Sequence, residues 1–326
     1  MEENTTIAEN TQPSVTNYSL NFHGKGGEYF SIVIVNWLLT VITIGLYYPW
    51  AKARQLQYLY GATELEGDRF TFHGTGKEMF KGFIKAILIF AIIYGGFFAL
   101  AAAEMPIWAV VYLYAGLIAL IPLAIHGSYR YRMSRTSWRG IRFGYRGQKT
   151  ELILNMAKWL FLTLITFGIY GAWMEMNMRK YVLENVRMGN ARFLYKGEGL
   201  DYFLLNIIGY FLSIITLGIY IPWWLNKLFA YYVDNLVLYK DDKEVRMKST
   251  ATGGGFWGLF IVNLFILIFT LGLGYAFVVT RTMNYLVQHI ELEGEIDLSE
   301  LQQTEDAYTD ATGEDLSDML DIDFVF

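Results

Sequence analysis

The chain has no cysteine among its 326 residues, which excludes disulfides, thiolate nucleophiles and thiolate metal sites. It is also poor in charge: Asp, Glu, Lys and Arg make up 17% of residues, against 54% hydrophobic and 17% aromatic. So little charge does not build a water-facing exterior. Uncharged runs at 31–50, 86–103, 105–125, 202–226 and 256–280 each have the length that crosses ~30 Å of hydrocarbon as a helix. A sixth run, 152–174, is interrupted only by Lys158 near its start, where a lysine can snorkel to the headgroups. A basic n-region is missing as well, since Glu2, Glu3 and Glu9 stand in the first thirty residues, so no cleavable signal peptide is expected.

These runs predict an all-α polytopic membrane protein with about six transmembrane helices, at approximately 31–50, 84–103, 106–126, 152–174, 203–224 and 256–280. A polar tail at 1–19 and an acidic, disordered tail at 291–326 flank the spans. After Arg281 the sequence has no Lys or Arg, and its last residues, DMLDIDFVF, interleave acids with apolar groups as a docking motif for a protein partner would.

What is present in abundance is self-similarity, in units of about fifty residues. A turn-and-helix-entry motif reads FHGKGGEYF at 22–30, FHGTGKEMF at 72–80, YRGQKTELI at 145–153 and YKGEGLDYF at 195–203, with a degraded copy, MKSTATGGG, at 247–255. A break motif ends four apolar runs: TIGLYYPW at 43–50, TFGIYGAW at 166–173, TLGIYIPW at 216–223 and TLGLGYAF at 270–277. Gly and Pro stop or kink a helix, and Tyr and Trp favour the headgroup level. Basic-aromatic segments follow, then alternating segments around Gly-Asp, Gly-Asn or Asp-Asp, which predict short interfacial β-hairpins.

Six alternating spans place seventeen Lys and Arg in loops one-two, three-four and five-six and seven on the opposite side. The excess favours both termini outside, yet leaves a five-charge loop on the wrong side. A re-entrant unit would put every hairpin on one side, but Lys52 and Lys227 follow the break so closely that the turn would then lie near an interface.

His23 and His73 share a repeat position with Arg146, Lys196 and Lys248, which argues against a metal site and for a cation beside the membrane that contacts lipid phosphate. The glycines around them read as tight turns before helices, since no Lys-Ser/Thr and no βαβ unit accompanies them. Glu28, Glu78, Glu151 and Asp201 then meet the free N–H groups of a helix start. No carboxylate lies well inside a run to carry protons or sodium, and Asn36, Asn155, Asn206 and Asn263 read as helix-to-helix hydrogen bonders. The break residues Thr43, Gly45, Thr166, Gly168, Thr216 and Gly218 carry the sharper alternative, a substrate path lined by discontinuous helices. No catalytic cluster, cofactor motif or nucleic-acid signature is found, because the arginines of 130–149 lie beside the membrane.

The combination F-x-F-H-G-x-G-x-E, T-x-G-I-Y-x-P-W and basic-aromatic segments resembles the YjgN family, a bacterial inner-membrane family of unknown function, over residues 20–290. The resemblance implies a multi-pass protein of the bacterial cytoplasmic (inner) membrane and supplies no substrate, reaction or catalytic residue. The expected role is non-enzymatic contact with lipid headgroups or a partner. The alternative is a small-solute transporter or channel; oligomeric state is not readable.

Overall fold

A computed structural model describes residues 16–304. The expected all-α fold with six spans is overturned: every helix pair is joined to the next by a hairpin, and the hairpins form one sheet. In chain order the elements are β1 (Thr16–Tyr18), β2 (Leu20–Phe22), α1 (Gly26–Ile42), α2 (Tyr48–Ala62), β3 (Thr63–Leu65), β4 (Asp68–Phe72), α3 (Gly76–Ala102) and α4 (Pro106–Ser134). Then come β5 (Thr136–Trp138), β6 (Ile141–Tyr145), α5 (Lys149–Ile165), α6 (Gly171–Glu184), β7 (Val186–Met188), β8 (Ala191–Tyr195), α7 (Gly199–Ile215) and α8 (Ile221–Asp234). The last unit is β9 (Leu236–Lys240), β10 (Lys243–Ser249), α9 (Gly253–Phe269), α10 (Tyr275–Gln288) and β11 (Ile290–Gly294).

The eleven strands run β1-β11-β10-β9-β8-β7-β6-β5-β4-β3-β2, all antiparallel where they pair. β1 and β2 are one extended stretch interrupted at Ser19, so the two ends of the order are continuous and the sheet closes into a barrel. Ser19 carries the pairing through, accepting at its carbonyl from Glu66 N–H at 2.8 Å. Closure removes the exposed edges that an open sheet would present. The period-two alternation of the strands fills the interior with cross-strand apolar pairs such as Leu20 with Leu65, Phe70 with Trp138, Phe143 with Met188 and Phe193 with Leu238.

Residues 291–304, expected within a disordered tail, are instead part of this core. β11 closes the ring, and the following strap buries Ile296, Leu298 and Leu301 against the barrel lining. Gln302 N–H donates to Asn190 Oδ1 at 3.1 Å and Thr304 Oγ1 to the Gly189 carbonyl at 2.7 Å, tying the strap to the β7–β8 turn. The docking motif at the chain's end and most of the polar N-terminal tail lie outside the described residues.

Among the described residues ten α-helices form five antiparallel pairs in a ring, each packed on its chain neighbours, with α10 against α1. Among the described residues only α3 and α4, of 27 and 29 residues, are long and apolar enough to cross a membrane. The other expected spans are not single helices: run 31–50, for example, is the end of α1, a turn, and the first residues of α2.

Candidate functional site

The two motifs of the sequence meet across the joints of this ring. Trp50, Trp173 and Trp223 of the break motif lie in the first turn of α2, α6 and α8, and each covers the glycine that opens the next apolar helix. A Cβ on Gly76, Gly199 or Gly253 would lie 2.4, 2.3 and 2.1 Å from Cδ1 of those tryptophans. The ring closes by the same contact, with Phe277 of α10 on Gly26. Lys149 replaces the glycine in the one entry motif whose preceding unit has no break motif, so both exceptions belong to the same joint. Since each Trp sits near the tip of its pair and each Gly at the base of the next, consecutive pairs cross instead of standing side by side.

At the tips the chain reverses through one repeated cap. Gly45 N–H bonds to the Thr40 carbonyl at 2.7 Å and Ile44 N–H to Val41 at 3.0 Å, the two bonds of a Schellman motif. Ile44, Phe167, Leu217 and Leu271 all adopt φ near +50°, followed by a glycine at φ +87° to +92°. The threonine before them serves both helices: Thr43 Oγ1 donates to the Leu39 carbonyl at 2.7 Å and accepts from Tyr47 N–H at 2.9 Å. Thr166 and Thr216 repeat both bonds. Thr43, Gly45, Thr166, Gly168, Thr216 and Gly218 thus sit at three separate tips, and no hydrogen bond joins one tip to another among the described residues. The four tip side chains Ile44, Phe167, Leu217 and Leu271 are 93, 97, 93 and 93% exposed. The tip of the long pair is different, carrying Glu104 at φ +58°.

The predicted cations stand at the opposite, sheet-side end. The backbone N–H groups of His23, His73, Arg146 and Lys196 bond to the carbonyls of Ala62, Arg135, Asn185 and Asn235, the residues that end the helical pair each motif opens. The fifth equivalent is Thr250, which bonds to His289, and not the predicted Lys248. β10 is longer than the corresponding strands, which moves Lys248 back into the sheet opposite Glu291. His23 pairs with Glu64 at 3.1 Å, and Lys196 with Glu244 at 3.1 Å. His73 shares a 2.7 Å hydrogen bond with Ser137 Oγ, and partial burial with the Arg142 and Arg135 charges holds its pKa below the ordinary 6.5. His73 is therefore neutral at neutral pH.

Two sets of residues escaped sequence reasoning. Tyr58, Tyr181 and Tyr231 each place a hydroxyl over a helix start 33 residues upstream, accepting from the N–H of Lys25, Gln148 and Glu198 at 2.8, 2.9 and 2.7 Å. The constant spacing was the signal. The second set is buried among α6, α7 and α8, where Arg179 pairs with Glu175 at 3.2 Å, one turn away, and stacks 3.8 Å over the Tyr232 ring. The Tyr232 hydroxyl donates to the Tyr202 hydroxyl at 2.9 Å. This ion pair falls just beyond the end of an apolar run, where sequence alone placed an interfacial segment.

One joint is open. Between α1 and α10 lies a cleft of about 420 Å³, apolar at Ile266 and Phe277 and polar at His23, Arg281 and Asn284. Phenylalanine stands here where three other joints have tryptophan, and its ring is part of the cleft lining. Arg281 is exposed and has no carboxylate partner among the described residues.

An exterior apolar over whole helix faces and tips belongs to the class of proteins solvated by lipid. Within that class, a family model described as "Bacterial protein of unknown function (DUF898)" matches residues 17–196 and 227–319, and the chain belongs to that family. It is similar to the inner membrane protein YjgN of Escherichia coli O157:H7, 38% identical over 131 residues, which is 40% of this chain and 32% of the relative. The YjgN proteins of Escherichia coli K12 and Salmonella typhimurium LT2 are 37% and 38% identical, each over the same shares of the two chains. The alignment spans about a third of the length of these curated relatives. No solved structure matches.

Proposed function

We propose that the chain is an integral, non-enzymatic protein of the bacterial inner membrane whose helix ring is set in the cytoplasmic leaflet. In this reading α3 and α4 cross the bilayer out and back, while the other four pairs are re-entrant. The contrast between tips carries the reading. Seventeen residues at 1.5 Å each give α1, α5, α7 and α9 a length of about 25 Å, short of ~30 Å of hydrocarbon even if upright, and the crossing of consecutive pairs makes them shallower. Apolar tips suit an end within the hydrocarbon. About 40 Å of α3 and α4 reaches the far side, where the carboxylate of Glu104 meets water.

The same topology removes the charge conflict of alternating spans. No tip carries Lys or Arg, so every Lys and Arg outside the helices lies on the sheet side, which the positive-inside rule assigns to the cytoplasm. There the exposed Arg146, Lys196 and Lys248, with His23 and its neighbours, contact the anionic headgroups of that leaflet. The name of the relatives, inner membrane protein, supports the location.

The absence of native cysteine makes the test direct. Single cysteines at Ala103, Leu217, Arg69 and Lys243 are exposed to an impermeant maleimide in spheroplasts and in inverted vesicles. Ala103→Cys is expected to label from outside, Arg69→Cys and Lys243→Cys only from inside, and Leu217→Cys from neither side. Labelling of positions 69 and 243 from opposite faces would reject re-entrant pairs.

A further inference from the structure

We infer that the cleft at the joint between α1 and α10 is a site for one phospholipid, its phosphate held by Arg281 and Asn284 and an acyl chain lying along Phe277 and Ile266. The inference rests on the membrane reading above and adds a discrete, stoichiometric ligand to it.

Four observations lead there. The joint is unlike its counterparts, because Phe277 replaces tryptophan at the position that seals α2 on α3, α6 on α7 and α8 on α9. The cleft beside it is amphipathic, with Arg281 and Asn284 on one side and Phe277 and Ile266 on the other, which is the chemistry of a lipid and not of a free phosphate. Arg281 lies four residues after the sealing ring, as Lys227 does in another unit. Lys227 lies 5.9 Å from the centre of the Tyr220 ring, whereas Arg281 has no carboxylate or ring partner among the described residues. A guanidinium in an apolar helical pair, lining a cleft, calls for an anion. Finally, α1, like α5 and α7 and unlike α3 and α9, begins without a side-chain cap, and its first residue, Gly26, lines the cleft. His23 is engaged by its 3.1 Å pair with Glu64, so Arg281 supplies the charge at the mouth.

The test uses the full chain, purified and delipidated in a mild detergent, titrated with phosphatidylglycerol and read by native mass spectrometry. One bound lipid retained at a plateau is expected. Arg281→Ala should weaken retention by about tenfold, and Phe277→Trp, which installs the residue found at the other joints, should abolish it without changing the melting temperature. Lys227→Ala should leave it unchanged. Inorganic phosphate at millimolar concentration should not displace the lipid. A continuous series of bound lipids without a plateau, equal retention in the 277 and 281 variants, or displacement by inorganic phosphate would each overturn the site. The cysteine accessibility pattern reports separately on the membrane reading: it stays the same if only the lipid site is wrong, and changes if the topology is wrong.

Discussion

Single residues in this protein act as joints. The Trp-on-Gly contact asks for a residue without a side chain at the start of α7, and Gly199→Ala would press a methyl into the Trp173 indole. A cost of about 1–3 kcal/mol is expected, as for other overpacked sites. Gly27, one position further along α1, has open space around its Cα, so Gly27→Ala should be neutral or stabilise by up to about 1 kcal/mol. Thermal melts of the two variants in one detergent decide between joint and generic helix entry. Thr216→Ala removes an oxygen that caps both α7 and α8 and should cost about 1 kcal/mol, with Thr216→Ser restoring most of it. Both motifs were legible in the sequence because they recur, and the tight turn before each helix was legible from glycine alone. That Trp50 and Gly76 are partners was not, since nothing in their spacing says which copy meets which. The shifted fifth copy was misread for a related reason: MKSTATGGG aligns by similarity, while the backbone bond to His289 selects Thr250.

Paired helices are the elements on which the sequence reading failed, and the failure has a simple origin. An uncharged window of about twenty residues was taken as one helix, but in four units it contains most of a 17-residue helix, a tip and the entry of the returning helix. Apolarity was continuous through the tip because the tip side chains, Ile44, Phe167, Leu217 and Leu271, are themselves apolar and exposed. Among the described residues only the pair α3 and α4 keeps helical structure long enough to be what the window implied. The distinction yields a prediction on two tips. Leu217→Asp places a carboxylate where a leucine is 93% exposed in an apolar setting, and should lower the folded yield, consistent with a penalty of roughly 2.5–3.5 kcal/mol for a charge deep in hydrocarbon. Glu104→Lys exchanges one charge for another at the aqueous end and should be tolerated. Fluorescence-detected size exclusion of the two variants gives the comparison.

For the molecule as a whole, the strap at 295–304 matters as much as the ring. Ile296, Leu298 and Leu301 are buried at the turn end of the barrel, and such side chains contribute about 1.5–3 kcal/mol each when removed from water. Replacing Leu298 and Leu301 by serine should therefore lower the melting temperature and make the β7–β8 turn the first site cut by a protease. Tyr18 fastens the strap by donating to the Ile296 carbonyl, and burial, with the Asp297 and Glu66 charges, pushes its pKa above the ordinary 10.0. The folded state holds this proton more tightly than the unfolded one, so the contribution is complete below pH 10 and declines as pH rises further. Tyr18→Phe should remove that alkaline component from a stability-versus-pH curve. None of this was readable beforehand, because an acidic stretch without Lys or Arg has the composition of a solvated tail, and its three apolar anchors carry no periodic signal.

Closure of the barrel ties Tyr18 to Leu292 in neighbouring strands. A ribosome delivers the first of these long before the second, so for most of synthesis the growing sheet has two unpaired borders and the nascent protein is an incomplete circle. Any two half-made copies in the same patch of membrane present borders that fit each other as well as they fit their own missing strands, which makes crowding during translation the moment at which this architecture is most exposed to exchange between chains.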